Sequence, residues 1–164
     1  MIDEQEGHGA TAPDVSVVIV TWNTRDLLLQ ALHSLYAETT SVTFEVVVVD
    51  NASEDGTSAA VSHLYPEVRL IELPTNRGFT GGNNVGFEAA RGRHVLLLNS
   101  DTIVLPTTVE PLVKFLDEHP RAGTAGARHL NADGSLQRPM DDVPTLLPDA
   151  LYYTELYRVP AIRR

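Results

Sequence analysis

Three consecutive polar residues, Asn99-Ser100-Asp101, follow a short apolar run and could together bind a metal ion. Residues two apart on an extended segment point to the same side, so we expect Asn99 and Asp101 to converge on one point. A carboxylate with an amide oxygen suits Mg²⁺ or Mn²⁺, which keep waters and take phosphate oxygens as further ligands. The alternative is a turn or helix cap, since all three residue types favour such positions.

Asp50 occupies a similar place at the end of another apolar run. Its carboxylate could accept hydrogen bonds from a base N–H or a ribose hydroxyl. Alternatively, Asp50 or Ser53 caps the next helix. A strand-end Asp also resembles the phospho-acceptor of receiver domains, but those need an acidic pair after the first strand, where this chain has Thr21 and Asn23.

A glycine-rich segment, residues 76–82, is the third candidate for ligand contact. Glycine lets a backbone approach a phosphate closely, and helix N-termini attract anions. The spacing matches neither a dinucleotide fingerprint nor a P-loop, and the segment has no Lys. Arg77 could pair with a diphosphate or remain a solvated loop residue. Asn84 could bind a ligand or serve the helix end.

Patterns of apolar residues predict the strands and helices that position these residues. β-branched runs predict strands over residues 15–20, 44–49, 68–73, 95–98 and, more weakly, 123–128. Helical spacing predicts a helix from a cap at Asn23 or Thr24, one from Ser53 or Asp55, one after the glycines and ending near Gly92, and one over 106–119. Four β-then-α units predict an α/β fold, a mostly parallel sheet with helices on both faces.

The polar segments 21–23, 50–51, 76–84 and 99–101 all follow predicted strands. Ligands bind outside the carboxyl ends of strands in such sheets, so we expect these segments to form one site. We also expect a disordered leader over residues 1–13, one domain over 14–140 with a small hairpin at 131–135, and an extension over 141–164 with a short helix at 151–157.

Composition excludes several classes of protein. Acidic residues outnumber basic ones 22 to 12, giving a formal charge of −10, which argues against nucleic-acid binding. The absence of Cys rules out disulfides, thiolate zinc sites and Cys nucleophiles. No apolar run reaches membrane-spanning length, and the acidic first residues are unlike a signal peptide. These features predict a cytoplasmic protein, with the inner face of the membrane as the alternative location.

Several motifs, in order, resemble the inverting family 2 glycosyltransferases, which have the GT-A fold. The run Val-Val-Ile-Val-Thr-Trp-Asn at 17–23 is similar to the family's opening block, and Val-Val-Val-Asp-Asn-Ala-Ser at 47–53 to its second. The segments 76–84, 97–101 and 126–137 resemble later blocks. The amino-acid sequence of these motifs is most similar to the rhamnosyltransferase-like branch, and the match spans roughly residues 15–139.

The resemblance implies a role for each matching position. Thr21, Asn23 and Ser100 would lie beside the nucleotide sugar, and Asp50 would bind the base or its ribose. Lining the donor groove would be Asn76, Arg77, Gly78 and Asn84. Asn99-Ser100-Asp101 would be the family's Asp-x-Asp element, with Asp101 and Asn99 on a divalent cation, although Asn in the first position removes one formal charge.

The family's general base lies in a later segment, which we expect beyond Arg164, so the chain resembles the donor-binding half of a transferase. The implied partners are a nucleoside-diphosphate sugar, such as a UDP-sugar or dTDP-rhamnose, and a saccharide or lipid-linked acceptor. A second hypothesis is a non-catalytic nucleotide-sugar-binding or interaction module, because no base is assigned. A nucleotidyltransferase is the third hypothesis. It ranks last because such enzymes carry a Gly-rich basic loop directly after the first strand, whereas residues 21–25 of this chain contain no Gly. A homodimer through residues 146–162 is also expected.

Overall fold

The computed structural model describes residues 12–137 of the chain. Within them, four strands alternate with four helices. The strands are β1 (Val15–Thr21), β2 (Phe44–Asp50), β3 (Arg69–Glu72) and β4 (His94–Leu97). The helices are α1 (Arg25–Glu38), α2 (Thr57–Leu64), α3 (Gly78–Ala89) and α4 (Val109–Glu118). The predicted order of β-then-α units is confirmed, and the first two strands begin at the predicted residues.

The four strands form one parallel sheet in the order β3-β2-β1-β4. Val15 pairs with Phe44 at one end of the two central strands, and Thr21 pairs with Asp50 at the other. β4 is shorter than β1, and its last residue, Leu97, lies opposite Val18. All carboxyl ends therefore lie at one edge of the sheet, and the turn after β4 begins about three residues before the end of β1.

Apolar residues of β1 and β2 are buried on both sheet faces, as the continuous β-branched runs predict. On one face, alternate strand residues such as Val17 and Val48 pack against α1, α2 and α4. On the other face, Val18, Val47 and Val49 pack against Ala89 and Val85 of α3. The prediction of helices on both faces is confirmed. Both cores are apolar, and polar residues of the central strands, such as Thr21 and Asp50, lie at the carboxyl ends of those strands.

The start of α3 differs from the prediction. The glycine-rich segment was expected to be a loop as far as Gly82, but the helix begins at Gly78 and includes both Gly81 and Gly82. A Cβ on Gly82 would lie 2.6 Å from Cγ1 of Val20, and one on Gly86 would overlap Cγ1 of Val18. These two glycines therefore allow α3 to pack closely on β1, and their close approach is to a strand, not to a phosphate.

Three further local predictions meet different outcomes. A strand over residues 123–128 is wrong, because no strand is formed there, and small Gly and Ala side chains have low strand propensity. Gly92 does not cap α3, which ends at Ala89. A Cβ on Gly92 would overlap the backbone of Ser16, so the glycine allows close contact with β1. The fourth helix begins at Val109, later than predicted.

The contacts divide the chain after Gly126, within the predicted domain of residues 14–140. In the second unit, the predicted hairpin is confirmed on a small scale. Leu130 and Leu136 form one antiparallel bridge, and the Asn131 N–H donates to the Ser135 carbonyl at 2.8 Å. Gly134 has a φ of 81°, a conformation that glycine adopts without the steric cost of a Cβ.

Most of the predicted leader and all of the extension over 141–164, with its helix at 151–157, lie outside the described residues. Pro13, which the prediction included in the leader, is bound to the sheet, because its carbonyl accepts a hydrogen bond from the Arg93 N–H at 3.0 Å. Among residues 12–137, every helix is too short or too polar to serve as a transmembrane segment.

Candidate functional site

The loops that follow β1 and β2 are joined by side-chain hydrogen bonds. The Asn23 N–H donates to Ser53 Oγ at 2.9 Å, and the Glu54 N–H donates to Asn23 Oδ1 at 2.8 Å. Asn23 has a φ of 53° and Ala52 one of 65°, so each loop turns away from its strand through a left-handed residue. Asn tolerates this conformation better than most residues. Asn23 therefore fixes one loop against the other.

Asp50 ends β2 and is only 3% exposed. One carboxylate oxygen accepts the Ser53 N–H at 2.9 Å, and the other accepts the Ser58 hydroxyl. The capping role considered for Asp50 or Ser53 is wrong, because the N-cap of α2 is Gly56 and no side chain caps the helix. Asp50 instead ties the loop and the Ser58 side chain in the first turn of α2 to the strand. A carboxylate has about four acceptor positions, so these two bonds leave capacity for a ligand donor.

Asn51 holds the loop that precedes α3. It is 3% exposed, and its Nδ2 donates to Asn76 Oδ1 at 2.8 Å and to the Gly78 carbonyl at 3.1 Å. Its Oδ1 accepts the Arg77 N–H at 2.8 Å. Asn51 was not predicted as a site residue. The available signal in the sequence was a second polar residue directly after Asp50, whose side chain points to the opposite side of an extended chain.

A chain of hydroxyl groups joins the end of β1 to the turn after β4. The Oγ1 atoms of Thr21 and Thr24 are 2.8 Å apart, and the Thr24 hydroxyl donates to Ser100 Oγ at 3.0 Å. Thr21 is 1% exposed, whereas Thr24 and Ser100 are partly exposed. Thr24 is the residue before α1, but its side chain makes no capping bond to the helix. Its hydroxyl therefore serves the contact between loops.

Residues 99–102, which we call the cation turn, do not have the extended conformation that the sequence argument assumed. Ser100 and Asp101 lie in a turn, and the Thr102 N–H donates to the Asn99 carbonyl at 3.2 Å. Alternation along a strand therefore cannot explain a convergence of Asn99 and Asp101, and that part of the prediction is wrong. Both residues are nevertheless exposed on either side of the anchored Ser100.

The chemistry of the cation turn fits a divalent cation that is shared with a ligand. The side chains of Asn99 and Asp101 form no hydrogen bond within residues 12–137, so their oxygens are free to coordinate. No three His, Cys, Asp or Glu residues cluster as a metal site in that part of the chain. One carboxylate and one amide leave several positions open, and Mg²⁺ typically fills such positions with water and substrate phosphates.

Three of the ten residues predicted for the site lie at the start of α3 or within it. The Arg77 side chain is exposed and has no ion pair with a described residue. Asn84 is exposed on α3 and forms no side-chain bond to another predicted site residue in 12–137, whereas its neighbour Asn83 is buried. Gly78 begins α3 with a φ of 70°. An open depression of about 310 Å³ adjoins Asn23 at the start of α1.

Electrostatics at this edge are mixed in sign. The Arg25 N–H donates to Asp55 Oδ2 at 2.9 Å, and its guanidinium pairs with Asp26 at 2.9 Å. The Thr57 hydroxyl and the backbone N–H groups of Arg25 and Thr57 donate to Asp55 and hold its pKa below the usual value, so the carboxylate stays charged. The loop therefore keeps an ordered anion at this edge, while the side chain of Arg77, just before α3, is an exposed positive charge.

Comparison with known proteins gives matches along most of the chain. A relative from Rhizobium meliloti (strain 1021), the succinoglycan biosynthesis protein ExoO, is 42% identical over 117 residues, or 71% of this chain and 32% of ExoO. The chain thus spans about a third of the length of that relative.

Two solved structures share the fold at a TM-score of 0.58 and cover 65% of this chain. One is S. aureus TarS 1-349 in complex with UDP-GlcNAc, 32% identical and covered over 32% of its length. The other is the mannosyltransferase PcManGT from Pyrobaculum calidifontis in complex with GDP-Man and Mn²⁺, 30% identical and covered over 33%. The model of glycosyl transferase family 2 matches residues 16–161. With this parallel sheet and its joined strand-end loops, the chain belongs to glycosyl transferase family 2.

Proposed function

We propose that this chain binds a nucleoside-diphosphate sugar across the carboxyl ends of β1, β2 and β4, as part of a transferase that passes the sugar to a hydroxyl acceptor with inversion. The observation that carries the proposal is the joining of the strand-end loops. Asn23 fixes the loops of β1 and β2 together, and Thr24 joins β1 to the cation turn. Asp50 and Asp101 consequently belong to the same sheet edge.

Each end of the donor has a partner of suitable chemistry. Asp50 accepts hydrogen bonds at the buried end of the site, where a base or ribose would donate. Arg77 is an exposed cation without an ion pair among residues 12–137. No carboxylate of those residues therefore competes with a diphosphate oxygen for its guanidinium. Asn76 and Gly78 belong to the loop and the start of α3, and Asn84 lies in the second turn of that helix, so we propose that the three line the sugar side of the groove.

Asp101 and Asn99 would hold a Mg²⁺ or Mn²⁺ ion, which when bound neutralises charge on the departing diphosphate as a Lewis acid. The chain's own residues hold the donor so that its anomeric carbon is open to the acceptor. The acceptor hydroxyl attacks from the face opposite the diphosphate, and its proton passes to a carboxylate base. We assign that base to no described residue.

The donor and acceptor are proposed from the relatives and from the motif resemblance. TarS was solved with UDP-GlcNAc and PcManGT with GDP-Man, which supports a nucleotide sugar as the donor class. The resemblance to the rhamnosyltransferase-like branch makes dTDP-rhamnose a further candidate. The name of ExoO places that relative in succinoglycan biosynthesis. We therefore propose a saccharide or lipid-linked acceptor at the inner face of the membrane.

The proposal is tested by calorimetry of the chain with UDP-GlcNAc, GDP-Man and dTDP-rhamnose, each with and without Mn²⁺. We expect one donor to bind, and its affinity to rise with Mn²⁺. Failure of all three with the metal present would overturn the proposal. Transfer of the bound sugar to an acceptor saccharide would then distinguish a transferase from a module that only binds.

A further inference from the structure

We propose that Thr24 is a positioning residue for the cation turn, and that with Thr21 it orients the Ser100 hydroxyl toward the bound ligand. This inference rests on the proposed function for the identity of the ligand, but its geometric part concerns only the chain. The evidence is the continuous hydroxyl chain from the buried Thr21, through Thr24, to Ser100.

The hydroxyl chain has a direction because each hydroxyl has a single proton. Thr24 donates its proton to Ser100 Oγ, so it has none left for Thr21. In the contact of 2.8 Å between Thr21 and Thr24, the donor must therefore be Thr21. Thr21 is 1% exposed, so water does not compete readily for its proton. The direction runs from the buried strand end outward to the cation turn.

The same count leaves the proton of Ser100 unused by the chain. Ser100 Oγ accepts from Thr24, and among residues 12–137 its own proton has no acceptor. Ser100 lies between Asn99 and Asp101, whose oxygens are the proposed ligands of the cation. The Ser100 hydroxyl is thus placed to donate to an oxygen of the diphosphate or to water held beside the cation. Because the Ser100 hydroxyl is already held by Thr24, it loses less rotational freedom on binding the ligand than a free hydroxyl would.

Thr24 acts through Ser100 and not through helix α1. It precedes the helix, but its side chain makes no capping bond, and only its carbonyl accepts the Leu28 N–H, at 2.9 Å. Removal of the hydroxyl therefore leaves the start of the helix unchanged. This makes Thr24→Val, which keeps the shape of the side chain, a specific test of the hydroxyl chain.

The experiment compares Thr24→Val and Thr24→Ser with the unsubstituted chain. Thr40→Val is the matched control, because Thr40 is exposed after the end of α1, far along the chain from the strand-end loops. Two quantities are measured. The first needs no ligand: hydrogen exchange of the Thr102 amide, which closes the cation turn. The second is the affinity for the nucleotide sugar that binds the unsubstituted chain, with and without Mn²⁺.

For Thr24→Val we expect the Thr102 amide to exchange at least several-fold faster. We expect Mn²⁺-dependent affinity to fall roughly five- to tenfold, as for loss of one hydrogen bond, with metal-free affinity changing less. Thr24→Ser should restore both quantities, and Thr40→Val should change neither. Unchanged Thr102 exchange, or an equal loss with and without Mn²⁺, would overturn the inference. If the unsubstituted chain binds no donor, the proposed function fails instead, and Thr102 exchange still decides whether Thr24 anchors the turn.

Discussion

Thr21 and Asp50 are register partners at the last position of the two central strands, and both are almost fully buried. Their loops consequently leave the sheet at the same level, which lets Asn23 reach Ser53 and Glu54 across the gap. Two polar side chains are buried here because each has hydrogen-bond partners, which offset the cost of burial. These hydrogen bonds therefore attach the two loops to each other and to the end of β2.

Gly86→Ala tests the close packing of α3 on β1. The added Cβ would overlap Cγ1 of Val18, a buried and conformationally stiff side chain. Alanine favours a helix by about 1 kcal/mol, but overpacking a core costs about 1–3 kcal/mol. We expect a net loss of up to about 2 kcal/mol in the free energy of unfolding, measured by denaturant titration.

Gly123→Ala is the matched control for that substitution. A Cβ at Gly123 would meet nothing within 4 Å, so we expect no loss and a gain of up to about 1 kcal/mol. Equal stability of the two variants would show that α3 moves away from the sheet without cost, and that its glycines are not needed for the packing.

Asn51→Ala tests the attachment of the loop before α3. The substitution removes three hydrogen bonds and leaves the Gly78 carbonyl and the Arg77 N–H without that partner. We expect a loss of about 2–3 kcal/mol in the free energy of unfolding, with faster hydrogen exchange at the Arg77 amide. Asn84→Ala, at an exposed position, should change stability by less than about 0.5 kcal/mol. Slow exchange at Arg77 in the Asn51 variant would contradict the assignment.

Asp101→Ala tests the cation turn. Asp101 is exposed and makes no hydrogen bond within residues 12–137, so the fold and its stability should be unchanged. Loss of the only carboxylate in the turn should lower the Mn²⁺-dependent affinity for a nucleotide sugar by at least about tenfold. Calorimetry with and without Mn²⁺ measures this. Glu88→Ala, which removes an exposed carboxylate from α3, should have no such effect. A correctly folded Asp101 variant with full Mn²⁺ dependence would refute the role.

Asp117→Asn tests an ion-pair cluster at the other end of the sheet. Arg93 and His94 hold the pKa of Asp117 at about 2, below its ordinary 3.8, through hydrogen bonds of 2.9 and 2.8 Å. Because the folded pKa is lowered, the stabilisation is present above pH 4 and is lost as the pH falls toward 2.

Unfolding measured between pH 5 and 2 should therefore show a smaller acid loss for Asp117→Asn than for the unsubstituted chain. Asp14, whose pKa Arg93 and Thr43 also hold at about 2, keeps its part of the acid dependence in both chains. Parallel stability curves for the two chains would mean that the ion pairs with Asp117 contribute nothing in solution.

The fold was predictable where the pattern of apolar residues alone determines the type of secondary structure. The runs that became β1 and β2 are nearly all β-branched and bury both faces, which fits no other element of that length. The start of α3 was not predictable from local preference, because glycine disfavours helices and only the contact with Val20 explains Gly82. The predicted fifth strand, residues 123–128, does not form, and no strand within residues 12–137 pairs with that segment.

The candidate site was predictable as a set of strand-end segments but not as a set of contacts. Its residues lie at one sheet edge, as parallel topology requires. The geometry of Asn99 and Asp101 was not predictable, because a turn after β4 replaces the assumed extended chain. The roles of Asn51 and Thr24 depend on partners 25 and 76 residues away in sequence, and no local pattern identifies such partners.

The packing of α3 has a practical meaning for engineering donor preference. With no side chain between Gly82 or Gly86 and the sheet, α3 packs directly on β1, and a shift of this helix to fit another proposed donor would break that contact. Variation is better placed at Pro74 and Thr75, which are exposed and precede the residues that Asn51 holds. A library that randomises those two positions and leaves both glycines, Asn51, Asn76 and Arg77 untouched would test new donor specificities on an intact scaffold.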